Sequence, residues 1–170
     1  MNYIGAFYAN GEGVDEDSSL AFEWYTKAAD AGSAVAARNL GWLYEYGSGV
    51  EQDLKKAFDW YIKAAELGDA DSMNYIGAFY ANGDGVDGDM SLAREWFEKG
   101  ADAGSDGAML NLGVMYEYGK GVEQSYEKAV EWYAKAAELG NIDAMYNLGA
   151  SYFNGDGVEQ NYEEAFNWMM

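Results

Sequence analysis

The chain contains no cysteine and no histidine. Without cysteine there is no disulfide framework, no thiolate metal site and no thiol nucleophile. Without histidine the Ser-His and Cys-His dyads, the usual zinc sites and the commonest general base fall away as well. Catalysis would have to rest on carboxylates, lysine, tyrosine or serine, and no nucleophile with an adjacent base can be named among them. The sequence therefore reads as non-catalytic, with no cofactor and no metal site.

Positive charge is also scarce. Ten Lys and Arg stand against thirty Asp and Glu, a formal net charge of -20 at pH 7. A surface of that sign repels phosphate backbones, which argues against nucleic acid as a partner. It keeps a repeat protein soluble and monomeric, or it steers the chain toward a basic partner. No stretch approaches the roughly 18 consecutive apolar residues of a membrane span, and Met1 to Asn10 lacks the basic start and apolar run of a signal peptide. A soluble chain without a membrane partner is expected. Its compartment stays open, because a leader in a longer parent would lie outside this sequence.

What the chain has is a period. Gly5, Gly41, Gly77, Gly113 and Gly149 are evenly spaced, as are Trp24, Trp60, Trp96, Trp132 and Trp168, and a Gly-x-Gly-Val turn lies between each pair. Self-similarity at a fixed period of roughly 20 to 50 residues marks a stacked repeat array, in which each unit buries its apolar face against its neighbours. With 49% hydrophobic and 16% aromatic residues there is ample material for such a core.

The second copy shows the unit in full. Ala37, Leu40, Gly41 and Tyr44 fall on one helical face, which Gly47 terminates, and this predicts a helix A over 34–46. Asp53 is a plausible N-cap for helix B, over 54–67, whose stripe is Ala57, Trp60, Tyr61 and Ala64. Two helices joined by a short Gly-rich turn form an antiparallel hairpin, and repeating it gives an all-α, α/α solenoid. Glycine at mid-helix costs about 1 kcal/mol relative to alanine, so the recurrence of Gly41 and its equivalents implies close helix-to-helix approach. Trp60 and Tyr61, with Trp24 and Tyr25, Trp96 and Phe97, and Trp132 and Tyr133, are expected to fill the space between layers. The pairs Glu23 and Lys27, Asp59 and Lys63, Glu95 and Lys99, and Glu131 and Lys135 have the favourable i, i+4 order of surface ion pairs.

Leu40-Gly41, Tyr44, Gly47-Ser48-Gly49-Val50, Lys56-Ala57, Trp60-Tyr61, Lys63-Ala64-Ala65 and Gly68 together resemble the Sel-1-like repeat, a relative of the tetratricopeptide repeat. The resemblance covers essentially the whole chain in five in-phase copies, at 1–33, 34–69, 70–105, 106–141 and 142–170, read as a single domain. It implies a right-handed superhelix whose inner wall is mainly helix A, used as an adaptor for proteins or peptides. Some cysteine-rich secreted members are linked to penicillin and β-lactam binding; this chain lacks their cysteines. The first copy starts within helix A and the fifth stops soon after Trp168, so both are incomplete. That predicts a fragment, a trimmed chain, or ends covered by a partner or by another copy, with end-to-end self-association as one outcome.

A second period overlies the first: Met1 to Asp15 and Met73 to Asp87 differ only at Glu12 against Asp84. The duplicated unit is thus a pair of repeats.

Beside the buried stripe of helix A runs a second one whose residues change between copies. It comprises Arg38, Trp42, Glu45 and Tyr46 in the second copy, Asn2, Ala6, Ala9 and Asn10 in the first, and Asn74, Ala78, Ala81 and Asn82 in the third. The fourth has Leu110, Val114, Glu117 and Tyr118; the fifth has Tyr146, Ala150, Phe153 and Asn154. Positions that vary while the framework stays constant are candidates for recognition, and by the resemblance they line the groove. Trp42 leads them as the one tryptophan outside the regular series, since interface hot spots favour Trp and Tyr. Asn10, Asn82 and Asn154 precede glycine and also suit helix C-caps. Two glycine-rich stretches carry no chemistry. Gly83 to Gly88 matches G-x-G-x-x-G but follows a helix instead of a strand, and Asp84, Asp87 and Asp89 lack the spacing of a calcium loop.

The expected function is a non-catalytic protein- or peptide-binding scaffold. The alternative is an acidic inhibitor or immunity-type protein that neutralises a basic partner. A β-lactam-binding or hydrolysing activity ranks behind both.

Overall fold

A computed structural model describes residues 1–170 and contains ten α-helices and no strand. The A helices are α1 (Asn2–Asn10), α3 (Ala34–Tyr46), α5 (Ala70–Asn82), α7 (Asp106–Tyr118) and α9 (Ile142–Asn154). The B helices are α2 (Ser18–Asp30), α4 (Leu54–Glu66), α6 (Met90–Asp102), α8 (Tyr126–Glu138) and α10 (Tyr162–Met169). The chain forms two compact units, Met1–Asp89 with α1 to α5 and Met90–Met170 with α6 to α10. Within each unit every helix packs on its sequence neighbours, as stacked hairpins require.

Local chemistry sets the boundaries. Each A helix ends on a left-handed glycine, at Gly11, Gly47, Gly83, Gly119 and Gly155, whose N–H donates back into the last turn. The first residue before helix B then closes the turn onto the A helix: the Asp17 and Asp53 N–H groups donate to the Tyr8 and Tyr44 carbonyls at 2.9 Å. The same residues cap helix B, for Asp17 Oδ1 accepts from the Leu20 N–H at 2.9 Å and Asp53 Oδ1 from the Lys56 N–H at 3.0 Å. Such a cap contributes about 1 kcal/mol. Helix B of the second copy ends at Glu66, one residue before the expected Leu67, which is the C-cap.

The mid-helix glycines have a specific neighbour. A Cβ on Gly5 would lie 2.6 Å from the Tyr25 ring, and one on Gly41 2.6 Å from the Tyr61 ring; Gly113 lies equally close under Tyr133. Each tyrosine of helix B therefore lies flat against the backbone of helix A in its own hairpin. The second glycine of the turn contacts the preceding repeat instead: a Cβ on Gly49 would meet the Ser18 carbonyl at 2.5 Å, and one on Gly85 the Leu54 carbonyl carbon at 2.8 Å. Both also have positive φ, so no other residue fits the site.

The tryptophans depart from the expected packing. Tyr25, Tyr61, Phe97 and Tyr133 are buried, whereas Trp24, Trp60, Trp96 and Trp132 are only half-buried. Neighbouring residues on a helix point about 100° apart, so one member of each pair is less deeply buried, although Trp60 still packs against the core of the first unit. The outer face of each indole is covered by the lysine three residues on, at 4.6, 4.4, 4.3 and 4.0 Å for Lys27, Lys63, Lys99 and Lys135. This use of the lysines also alters the expected ion pairs: Glu23 and Lys27 close only to 4.0 Å, and Lys63 pairs with Asp30 of the preceding repeat at 3.8 Å instead of with Asp59.

Candidate functional site on the A helices

The variable stripe separates into residues engaged by the fold and residues left open. Arg38 on α3 lies 3.7 Å from Asp69 and also pairs with Asp71. Asp69 caps α5, so this arginine joins successive A helices and its charge is already matched. Leu110 packs on the core of the second unit. Asn2 is half-buried, with a side-chain oxygen that has no hydrogen-bond partner, and Asn74 is half-buried at the same position of the third copy. Asn10, Asn82 and Asn154 are the last helical residues, and each amide donates to an acid in the following turn, Glu12, Asp84 or Asp156, at 3.0, 3.1 and 3.1 Å.

Glu45 and Glu117 have a structural partner that spacing does not reveal. The Tyr61 hydroxyl, buried in the core, donates to Glu45 Oε2 at 2.6 Å, and the Tyr133 hydroxyl donates to Glu117 in the same way. Both glutamates lie in even-numbered copies. Copy three has Ala81 and Phe97 at these positions, and Phe97 has no hydroxyl to satisfy. Copy one has Ala9 with a buried Tyr25, whose hydroxyl meets Asn39 instead of a glutamate.

Burial first, and then the bond to Glu45, holds the Tyr61 hydroxyl far above the usual phenol range; Tyr133 is raised in the same way, with Glu117 as its partner. A folded-state value above the unfolded one means that the native state keeps a proton which the unfolded chain releases near pH 10. The stabilisation is fully present below about pH 10 and declines above it, at up to about 1.4 kcal/mol per pH unit for each tyrosine. Alkaline denaturation followed by circular dichroism should show this slope. Tyrosinate absorbance should show Tyr61 and Tyr133 titrating only on unfolding; their titration while helicity is retained would contradict it.

The open residues are aromatic. Trp42 is 47% exposed, and its ring lies 4.9 Å from that of Tyr46, which is 62% exposed. Trp42 borders a cleft of about 280 Å³ shared with Ala9, Asn10, Tyr25, Asn39 and Leu43. In the second unit Tyr118, Tyr146 and Phe153 are exposed, and Phe153 meets Tyr162 edge to face at 5.3 Å. Tyr162 is a B-helix residue outside the stripe; its place at the first position of α10, just after the turn, is the signal that could have drawn attention to it. No group of three or more acidic residues has a geometry that could hold a metal ion, and no helix is long and apolar enough to cross a membrane.

The Sel1 repeat family model matches residues 1–33, 34–69, 70–105, 107–141 and 142–169. The chain belongs to the Sel1 repeat family. Among solved structures, a Sel1 repeat protein from Oxalobacter formigenes is 38% identical with a TM-score of 0.93, over 98% of this chain and 68% of that one. The protective antigen c5321 of uropathogenic Escherichia coli, which displays an SLR fold, is 37% identical with a TM-score of 0.88, over 99% of this chain and 37% of that one. The immunity protein Pa5087 of Pseudomonas aeruginosa is 27% identical with a TM-score of 0.68, over 99% and 64%. No curated protein matches the chain. The Sel1 hairpins thus present a helical scaffold whose uncommitted surface on the A helices is chiefly aromatic.

Proposed function

We propose that this Sel1 repeat chain is a non-catalytic scaffold that binds a protein or peptide through the exposed aromatic residues of its A helices. The observation that carries this reading is the contrast within one stripe. Arg38, Glu45, Leu110 and Glu117 are engaged by the fold, while Trp42, Tyr46, Tyr118, Tyr146 and Phe153 have large open ring surface. Rigid aromatic side chains supply contact area at small entropic cost, and they dominate the energetics of binding surfaces. With a captured partner, Trp42→Ala combined with Tyr146→Ala should weaken affinity about 1,000-fold, hot-spot truncations being worth about 2 kcal/mol each. Unchanged affinity in calorimetry would discard the aromatic surface.

A second reading has its own support: a net charge of -20 together with likeness to an immunity protein over 99% of the chain. On this reading the chain neutralises a basic protein. The turns between A and B helices carry Glu12, Asp15, Glu16, Asp17, Glu51 and Asp53 in the first two copies alone, and Lys120 is the one basic residue in any of these turns. Steered association of this kind weakens steeply as salt shortens the Debye length from about 10 Å at 0.1 M to about 3 Å at 1 M. Binding insensitive to ionic strength would favour the aromatic surface alone.

A further inference from the structure

Lysine has a recurrent place in this chain. Lys27, Lys63, Lys99 and Lys135 each cover the indole three residues before them, and Lys56 and Lys128 lie over the rings of Tyr44 and Tyr116 at 5.4 and 5.1 Å. Trp42 breaks the rule. Three residues on from it stands Glu45, a neighbour on the same helix surface, so this indole meets a carboxylate where the four B-helix indoles meet an ammonium. Its exposure does not come from a chain end, because α3 packs on α2 and α4 within the first unit.

The group is held in shape by the fold. Trp42 and Tyr46 lie 4.9 Å apart at 40°, and the buried Tyr61 hydroxyl fixes Glu45 Oε2 at 2.6 Å. That partner is a neutral phenol, so the negative charge of Glu45 is not cancelled by it. The same charge, ahead of burial, pushes the Tyr46 hydroxyl above the usual phenol range, which puts the carboxylate beside that ring. The other charge on α3 is Arg38, and Asp69 and Asp71 already match it.

Copy four shows the equivalent surface filled from within. Residues 44–50 and 116–122 differ only at Ser48 against Lys120, and Lys120 lies 5.7 Å over the ring of Tyr118, the equivalent of Tyr46. Glu117 stands beside it as Glu45 does, held by the Tyr133 hydroxyl. Copy two has the rings and the carboxylate, with a serine in place of the lysine. We propose that Trp42, Glu45 and Tyr46 take a cationic side chain, arginine or lysine, from a basic protein partner, in the place that Lys120 occupies in copy four. This site is part of the aromatic surface proposed above and depends on that reading. Indole is the best of the aromatic rings for a cation, and a guanidinium can stack on it while donating to a carboxylate.

Nuclear magnetic resonance titration of the 170-residue chain with two blocked peptides, Gly-Arg-Gly-Arg-Gly and Gly-Leu-Gly-Leu-Gly, tests this. The arginine peptide should shift the Trp42 indole and the Tyr46 amide saturably, and the lysine-covered indoles of Trp24, Trp60, Trp96 and Trp132 far less. Ser48→Lys, which gives copy two the turn of copy four, should weaken binding at least about threefold by supplying the cation from within. Ser48→Gln loses the same 3.2 Å hydroxyl contact with Ser18 without adding charge, and should bind as the wild type does. Glu45→Gln keeps an acceptor for Tyr61 and should also weaken binding at least about threefold, whereas Glu138→Gln, an equal charge change on α8, should not. Equal or tighter binding of the leucine peptide would overturn the proposal while leaving the aromatic scaffold in place as an apolar surface. So would shifts spread over the acidic turns with affinity unchanged in Ser48→Lys and Glu45→Gln, which marks net charge alone, and so would the absence of a saturable shift at Trp42. Should circular dichroism show lost helicity in Glu45→Gln, the comparison of Ser48→Lys with Ser48→Gln decides.

Discussion

Gly41→Val should destabilise the first unit by about 3 kcal/mol, a cost at the upper end of overpacking, and lower the melting temperature by roughly 10 °C. The added Cβ alone would lie 2.6 Å from the Tyr61 ring, and Tyr61 is fully buried with no room to withdraw. Gly41→Ala makes the sharper comparison, because two effects compete there. Helix propensity favours alanine by about 1 kcal/mol, whereas the ring contact opposes any Cβ. The structure places the balance on the side of the ring, so thermal and denaturant unfolding should show Gly41→Ala less stable than the wild type. Paired with Tyr61→Leu, the same change should cost far less than the sum of the two single changes. A gain in stability from Gly41→Ala alone would mean that the hairpin relaxes freely and that ring-on-backbone contact is not what preserves this glycine's place.

Glu45→Ala should cost about 1–3 kcal/mol, more than the removal of a surface carboxylate. It leaves the buried Tyr61 hydroxyl without its acceptor. Tyr61→Phe removes the donor and leaves Glu45 at a site that water can reach, so its cost should be smaller, about 1 kcal/mol. The double change reproduces the third copy, which has Ala81 and Phe97, and should recover most of the loss caused by Glu45→Ala. Urea unfolding of the four proteins measures the coupling directly. Additive losses would show that the carboxylate and hydroxyl act independently, and that their coincidence in even-numbered copies has no energetic basis.

The repeat made much of this architecture legible. In the second copy, residues 34–46 were expected as a helix, and α3 is Ala34–Tyr46; Asp53 was expected to cap helix B and does. Gly41 was expected to mark close approach, though spacing alone could not say that an aromatic ring supplies it. The shallower burial of the tryptophans has a related cause. A stripe at i, i+3, i+4 and i+7 is wide enough to include both Trp60 and Tyr61, and only the second glycine-backed position decides which points inward. Lys63 covers the indole from three residues away, a contact that i, i+4 spacing does not reveal.

The variable stripe was harder to read, because variation has two sources. At Trp42 and Tyr146 the residue is exposed, so the core does not fix its identity. At Glu45 and Glu117 it is tied to a core tyrosine sixteen positions on. A single copy cannot separate these cases; comparing Glu45–Tyr61 with Ala81–Phe97 in the same chain does. Arg38 hides differently, since its partners Asp69 and Asp71 belong to the next repeat and become neighbours only when the hairpins stack.

The lysines that rest on indoles bear on how the array meets proteases. Apart from Arg38 and Lys120, every basic residue lies on a B helix, and Arg38 is held in its ion pairs. A trypsin-like enzyme must therefore enter almost entirely through B helices, at bonds that become extended only when a helix opens. Cleavage there would follow the population of locally opened hairpins, and the first peptides released would identify which repeat loosens first. The A helices, with their exposed aromatic rings, would leave such a digest as long uncut segments.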